Sequence, residues 1–187
     1  MSRAGFVLAG GRSSRMGSDK ALLPFAGRAL VLHVADLVAA SAGSVTLIGS
    51  PERYGSLGLP LLPDLRPGEG PLAGIEAALH AASADWNLVV ACDMPRLSLP
   101  LLEGLFEVAE ASGADAVVPC AASGRLEPLC TVWRDRCLAA VSEALDRGER
   151  RVSVVLDRVG ALRWRSPDSE AFTNVNTPAD WTAINHG

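Results

Sequence analysis

Short, mainly apolar runs suited to strands recur along this chain, each separated from the next by a stretch with helical spacing; this alternation restricts the fold more than any other feature. The runs at 5–9, 45–48, 86–92 and 114–119 lack the polar alternation of a half-exposed strand, so both of their faces must be covered. Further strands are expected at 59–62, 127–133 and 161–165. Helices are expected at 29–42, 71–82, 98–111 and 135–146, with a short one at 152–159. Pro71 suits the first turn of its helix. Thr177, Pro178 and Asp180 supply a cap, a first-turn proline and an acid near the start of a closing C-terminal helix, which is expected to seal the sheet edge. Strands alternating with helices predict an α/β fold, a Rossmann-like three-layer α/β/α arrangement around a mostly parallel sheet.

With 187 residues, of which 49% are hydrophobic and 20% charged, one substantial core is expected, so 1–187 reads as a single domain. A formal net charge of −4 offers no general attraction to nucleic acid or anionic lipid, and any polyanion site must be a local concentration of cations. The apolar run 4–9 behind Met1-Ser2-Arg3 is too short for a signal-peptide core or a membrane span. A cytoplasmic protein with neither membrane nor nucleic acid as partner is the expectation. Cys92, Cys120, Cys130 and Cys137 form no CxxC pair and read as reduced packing residues. His33, His80 and His186 suggest no nucleophile system.

The cations gather in Leu8-Ala9-Gly10-Gly11-Arg12-Ser13-Ser14-Arg15-Met16-Gly17-Ser18-Asp19-Lys20. A buried strand delivers this segment to the edge where α/β sheets bind ligands. Its glycines let backbone N–H groups approach phosphate oxygens, and Arg12, Arg15 and Lys20 add positive charge. Together they make a triphosphate cradle. It is neither GxxxxGK[ST] nor GxGxxG, so a P-loop and a dinucleotide fingerprint are both disfavoured. Asp93, at the end of the strand 86–92, can project a carboxylate beside those phosphates as a hard oxygen ligand for a cation, or cap the turn that follows.

The segment LAGGRSSRMGSDKALLPFAGR closely resembles the signature of the MobA family of nucleotidyltransferases, which includes the molybdenum cofactor guanylyltransferases. The resemblance extends to Gly70-Pro71-Leu72-Ala73-Gly74, Cys92-Asp93-Met94-Pro95, Gly148-Glu149-Arg150-Arg151-Val152 and Asn174-Val175-Asn176-Thr177-Pro178, in family order over nearly the whole chain. It implies a nucleotide-diphospho-sugar-transferase-like fold, and transfer of GMP from GTP to molybdopterin with Mg²⁺ as cofactor and pyrophosphate as leaving group.

By that resemblance the catalytic residues are Arg15, Lys20 and Asp93, with Asp93 also the metal ligand. The nucleotide is held by Leu8, Ala9, Gly10, Gly11, Arg12, Lys20, Asp64, Gly70, Pro71, Leu72, Gly74 and Asp93, and the pterin side by Arg151, Asn174 and Asn176. Blander uses stay open. Asp64 can form an Asx turn after Pro63, GPLAG can serve helix packing, Arg151 can be solvated, and Asn174 and Asn176 can be turn formers. Ile48-Gly49-Ser50 stands where guanylyltransferases of the family can carry an asparagine, which weakens a side-chain contact to guanine; Gly10-Gly11 and GPLAG nevertheless favour GTP over the CTP of relatives with LAAG. Glu127 replaces a histidine of some relatives and receives no role. The expected partners are GTP and molybdopterin, with transient docking to proteins that prepare or accept the cofactor. A related cytidylyl- or sugar-phosphate nucleotidyltransferase and a non-catalytic nucleotide carrier are the alternatives.

Overall fold

The computed structural model describes residues 1–10, 19–168, 170–175 and 180–182. In chain order its regular elements are β1 (Arg3–Ala9), β2 (Pro24–Phe25), β3 (Arg28–Ala29), α1 (Leu30–Ala42), β4 (Thr46–Gly49), α2 (Pro51–Tyr54), β5 (Leu61–Leu62), α3 (Pro71–Ala81), β6 (Trp86–Ala91), α4 (Leu99–Ala111), β7 (Ala116–Cys120), β8 (Cys130–Arg134), α5 (Leu138–Asp146), α6 (Val152–Arg158) and β9 (Leu162–Arg165). Each strand and helix expected from the sequence within these residues is present, displaced at most a few positions at its ends. The expected helix start at Thr177 lies outside the described residues.

Seven strands form one sheet in the order β5-β4-β1-β6-β8-β7-β9. β1 runs parallel to β4 and to β6, β4 parallel to β5, and β7 parallel to β9. The sheet is mostly parallel, but β8 runs antiparallel to both of its neighbours. Successive side chains of β1 go to opposite faces, both of them covered, which is why its sequence is apolar from Ala4 to Ala9. Val7 and Ala9 join α1 and α4 in one core, whereas Phe6 and Leu8 join α3, α5 and α6 in the other. These are the three layers.

The chain leaves β1 through α1 to reach β4 on one side, then crosses through α3 to β6 on the other. At such a reversal the carboxyl ends of neighbouring strands diverge and leave a crevice. Two elements had no sequence signal. The β2–β3 ribbon turns on Ala26 and Gly27, both at positive φ, and α2 is a single turn after β4.

No described helix is long and apolar enough to cross a membrane. All four cysteines are free thiols; Cys92, Cys130 and Cys137 are buried and Cys120 is half-buried.

Candidate active site

The carboxyl ends of β1, β4, β5 and β6 surround a pocket of about 490 Å³ lined by Leu8 and Ala9 of β1 with Gly10 just after it, Ile48 of β4, Asp64 after β5, and Ala91 of β6 with Cys92 and Asp93 just after it. Lys20 closes one side, and Gly68, Gly70, Pro71 and Gly74 close another. Gly70 has φ 82° and ψ −171°, a region open only to glycine, and so turns the chain sharply into Pro71 at the first turn of α3. Gly74 belongs to α3 itself; a Cβ there would stand 2.9 Å from Leu8 Cδ2 and 3.5 Å from Asp64 Oδ1, so the missing side chain keeps the pocket wall back. Gly49, beside the pocket residue Ile48 at the end of β4, permits a close approach to β1, since a Cβ there would come within 2.1 Å of Ala9 O. Any side chain at that position would move the end of β1.

Asp93 Oδ1 is buried and has no hydrogen-bond partner. Burial raises the Asp93 carboxyl above its ordinary range, and the positive charge of Lys20 pulls in the opposite direction. An acceptor-only oxygen left without a donor at the rim of a pocket suits a hard divalent cation. No group of three or more His, Cys, Asp or Glu side chains able to hold a metal occurs among the described residues. A divalent cation that keeps water and substrate phosphate in its shell needs only one or two carboxylates, and Asp93 could supply one.

Asp64, on the same pocket, is also raised by burial. The Cys92 thiol is pushed up to about 12, by burial first and then by the charges of Asp93 and Asp19, so it stays protonated and inert. Behind the pocket, His33 Nε2 lies 3.2 Å from the carbonyl oxygen of Pro95 and donates to it, bracing the turn that follows Asp93.

Of the expected nucleotide residues, Leu8, Ala9, Gly10, Lys20, Asp64, Gly70, Pro71, Gly74 and Asp93 all line this one pocket. Leu72 does not: its side chain is fully buried in the core beneath α3. The i, i+3 geometry of a helix that presents Pro71 and Gly74 to the pocket turns the intervening Leu72 inward. Gly11, Arg12, Arg15 and Asn176 lie outside the described residues.

Of the residues expected to face the pterin, Asn174 lies next to Asp93, because Val175 N donates to Asp93 O at 3.0 Å, and the Asn174 Oδ1 is buried without a partner. Arg151 is exposed and pairs with Glu149 at 2.9 Å, which holds the Glu149 carboxyl down to about 2. The neighbouring Arg150 forms an ion pair with Glu69, so this turn leans on the loop that enters Gly70. Glu127 is 3% exposed; Arg125 approaches its Oε1 at 2.8 Å without hydrogen-bond alignment, and burial raises its carboxyl.

Sequence reasoning passed over Asp19, Ala21, Ile48, Gly68, Ala91, Cys92 and Leu129 as pocket residues. Asp19 had a local signal, since an aspartate directly before a turn can cap it. Its Oδ1 accepts from Ala21 N at 3.1 Å at the head of the 3₁₀ turn Lys20–Leu22. Leu129 had none, because it reaches the pocket through the pairing of its carbonyl with Ala91 N across the sheet.

Residues 5–160 match the model of the MobA-like NTP transferase domain. A protein of Pelotomaculum thermopropionicum described as a probable molybdenum cofactor guanylyltransferase is 40% identical over 184 residues, covering 94% of this chain and 88% of its own length. A molybdenum cofactor guanylyltransferase of Cereibacter sphaeroides is 38% identical over 182 residues, covering 94% of this chain and 92% of its own. Among solved structures, molybdopterin-guanine dinucleotide biosynthesis protein A of Archaeoglobus fulgidus superposes with a TM-score of 0.84 at 25% identity, over 98% of this chain and 97% of that one. With a matching domain model, relatives aligned over nearly its full length and a glycine-walled pocket at the sheet reversal, this chain belongs to the MobA-like NTP transferase family.

Proposed function

We propose that the protein transfers GMP from GTP to the terminal phosphate of molybdopterin, forming the guanine dinucleotide cofactor and releasing pyrophosphate. The observation that carries this reading is the convergence of Gly10, Lys20, Asp64, Gly70, Gly74 and Asp93 on one pocket. Relatives at 38–40% identity that carry the guanylyltransferase name support the choice of reaction and substrates.

The attacking phosphate is anionic at neutral pH, so the chemistry requires alignment and charge neutralisation more than a general base. Lys20 meets charge that grows on the departing pyrophosphate, and Arg12 and Arg15 serve the same end. The backbone at Gly10 and Gly11 holds the triphosphate in line, and Gly70, Pro71 and Gly74 leave room for the base. Asp93 would hold Mg²⁺, which would supply neutralisation of the phosphate oxygens when bound. Asp64 faces the sugar or the metal from the end of β5. Arg151, Asn174 and Asn176 receive the pterin. The reaction belongs in the cytoplasm.

Turnover with GTP and with CTP, each labelled at the α-phosphate, in the presence of molybdopterin and Mg²⁺ tests class, base and acceptor together. Label passing from GTP into the dinucleotide cofactor is the expected result. Preferential use of CTP would make the protein a cytidylyltransferase, the alternative left open by the absence of asparagine at Ile48-Gly49-Ser50, which weakens the choice of guanine. Binding without pyrophosphate release would make it a carrier.

A further inference from the structure

Lys20 stands at the head of a short 3₁₀ turn, and the residue before it is tied down from several directions. Asp19 Oδ1 accepts from Ala21 N, and Asp19 Oδ2 accepts from the Tyr54 hydroxyl at 2.8 Å. Arg53 adds a looser, exposed contact to the same oxygen at 3.4 Å. Tyr54 is itself immobilised: it is 1% exposed, and its ring packs against Gly49, where a Cβ would lie 3.0 Å from Cδ2 and Cε2. The phenol therefore connects the end of β4, whose Ile48 lines the pocket, to the turn that presents Lys20.

We propose that Tyr54 is a positioning residue for nucleotidyl transfer, its hydroxyl holding Asp19 so that the following lysine faces the departing pyrophosphate. This rests on the proposed transfer reaction. A lysine on a four-carbon stem gains precision only if its backbone is fixed, and Asp19 is the residue that fixes it. The arrangement also turns the Asp19 carboxylate toward the phenol, Arg53 and Ala21 N. Left unengaged on the pocket wall, the same charge would repel the triphosphate.

The test is a double-mutant cycle on transfer of labelled GMP, with Tyr54→Phe, Lys20→Ala and their combination. Removing only the hydroxyl leaves the buried ring in place. Tyr54→Phe is expected to lower kcat about tenfold, since small misplacement of a group that acts in the transition state is costly, with a smaller change in KM for GTP. In the Lys20→Ala background, Tyr54→Phe should have no further effect on kcat. An equal tenfold fall in both backgrounds, or an unchanged kcat in Tyr54→Phe itself, would overturn the proposal.

Asp19→Asn provides a second route that does not depend on the folding of the first variant. It should reproduce the loss and remove any added effect of Tyr54→Phe; independent, additive losses would count against the link. Tyr54 is the only tyrosine in the chain, so ultraviolet titration reads its phenol alone. Burial, and then the bond to Asp19, raise that phenol above the ordinary tyrosine value, and Asp19→Asn should bring it down. A phenol that titrates identically in both proteins would deny the hydrogen bond. Absence of transfer by the parent enzyme would remove the reaction and this role together, whereas an active parent with additive losses would remove the role of Tyr54 alone.

Discussion

Asp93 carries a conflict between stability and chemistry that a single substitution can expose. Its Oδ1 is buried without a donor and its carboxyl is raised by burial, so ionisation in the metal-free protein costs folding energy. Asp93→Asn should therefore melt at a higher temperature than the parent at neutral pH while transferring GMP about a hundredfold more slowly. The sign with pH follows from linkage. A carboxyl whose folded pKa lies above its ordinary value near 3.8 contributes nothing below that value, and its penalty grows as pH rises through the folded pKa. The stability gain of Asp93→Asn should accordingly appear across that rise and vanish in strong acid, which calorimetry at several pH values would show. Gly70 gives a contrasting case, in which backbone strain is the issue: Gly70→Ala, at φ 82° and ψ −171°, should lower stability by about 2 kcal/mol in urea titration and weaken GTP binding. That Asp93, Lys20 and the GPLAG glycines line one pocket was legible in the sequence, because each combines a chemical type with a place at the end of an element. Leu72 lies in the core and not on the pocket, because motif membership does not specify which face of a helix a side chain takes. Asp19 was missed because its partner Tyr54 is 35 positions away and no local pattern connects them.

At the scale of elements, the buried strands and long helices declare themselves through hydrophobic period, and β1, α1, α3, β6 and α4 all lie close to their expected bounds. The β2–β3 ribbon did not. Two-residue strands have no period to detect, and the Ala26-Gly27 turn lacks the Asn-Gly or Asp-Gly signature of a tight hairpin. α2 is one turn long and equally silent. How elements are fastened to each other can still be tested. Arg3 at the start of β1 makes a two-pronged bond to Glu110 near the end of α4, both contacts at 2.8 Å, and its guanidinium lies over the Phe106 ring at 4.6 Å from the centroid. Glu110→Gln should cost about 1 kcal/mol at neutral pH, the scale expected of a partly exposed ion pair. The bond to Arg3 holds the Glu110 carboxyl below its ordinary value near 4.5, so this stability is complete above that value and lost as pH falls through the depressed folded pKa. The difference between parent and variant in chemical denaturation should narrow over the same acid range.

For the whole molecule, the layered α/β architecture was readable because apolar strands covered on both faces admit few other arrangements. The antiparallel insertion of β8 between β6 and β7 was not, since period identifies a strand but carries no information on its direction or neighbours. The order of the remaining strands explains why residues from Leu8 to Asp93 meet in one place. β4, β1 and β6 are adjacent and parallel, so their carboxyl ends open on the same crevice, and β5 adds Asp64 at its side. Nucleotide, cation and acceptor are thereby proposed to share one end of the sheet. Crystallisation with Mg²⁺ and a GTP analogue blocked at the α–β bridge tests that claim most directly. The phosphates should lie between Gly10 and Lys20 with a cation on Asp93 Oδ1, and the base should lie against Gly70 and Gly74. A nucleotide bound elsewhere, or phosphates turned away from Lys20 with no cation at Asp93, would contradict it.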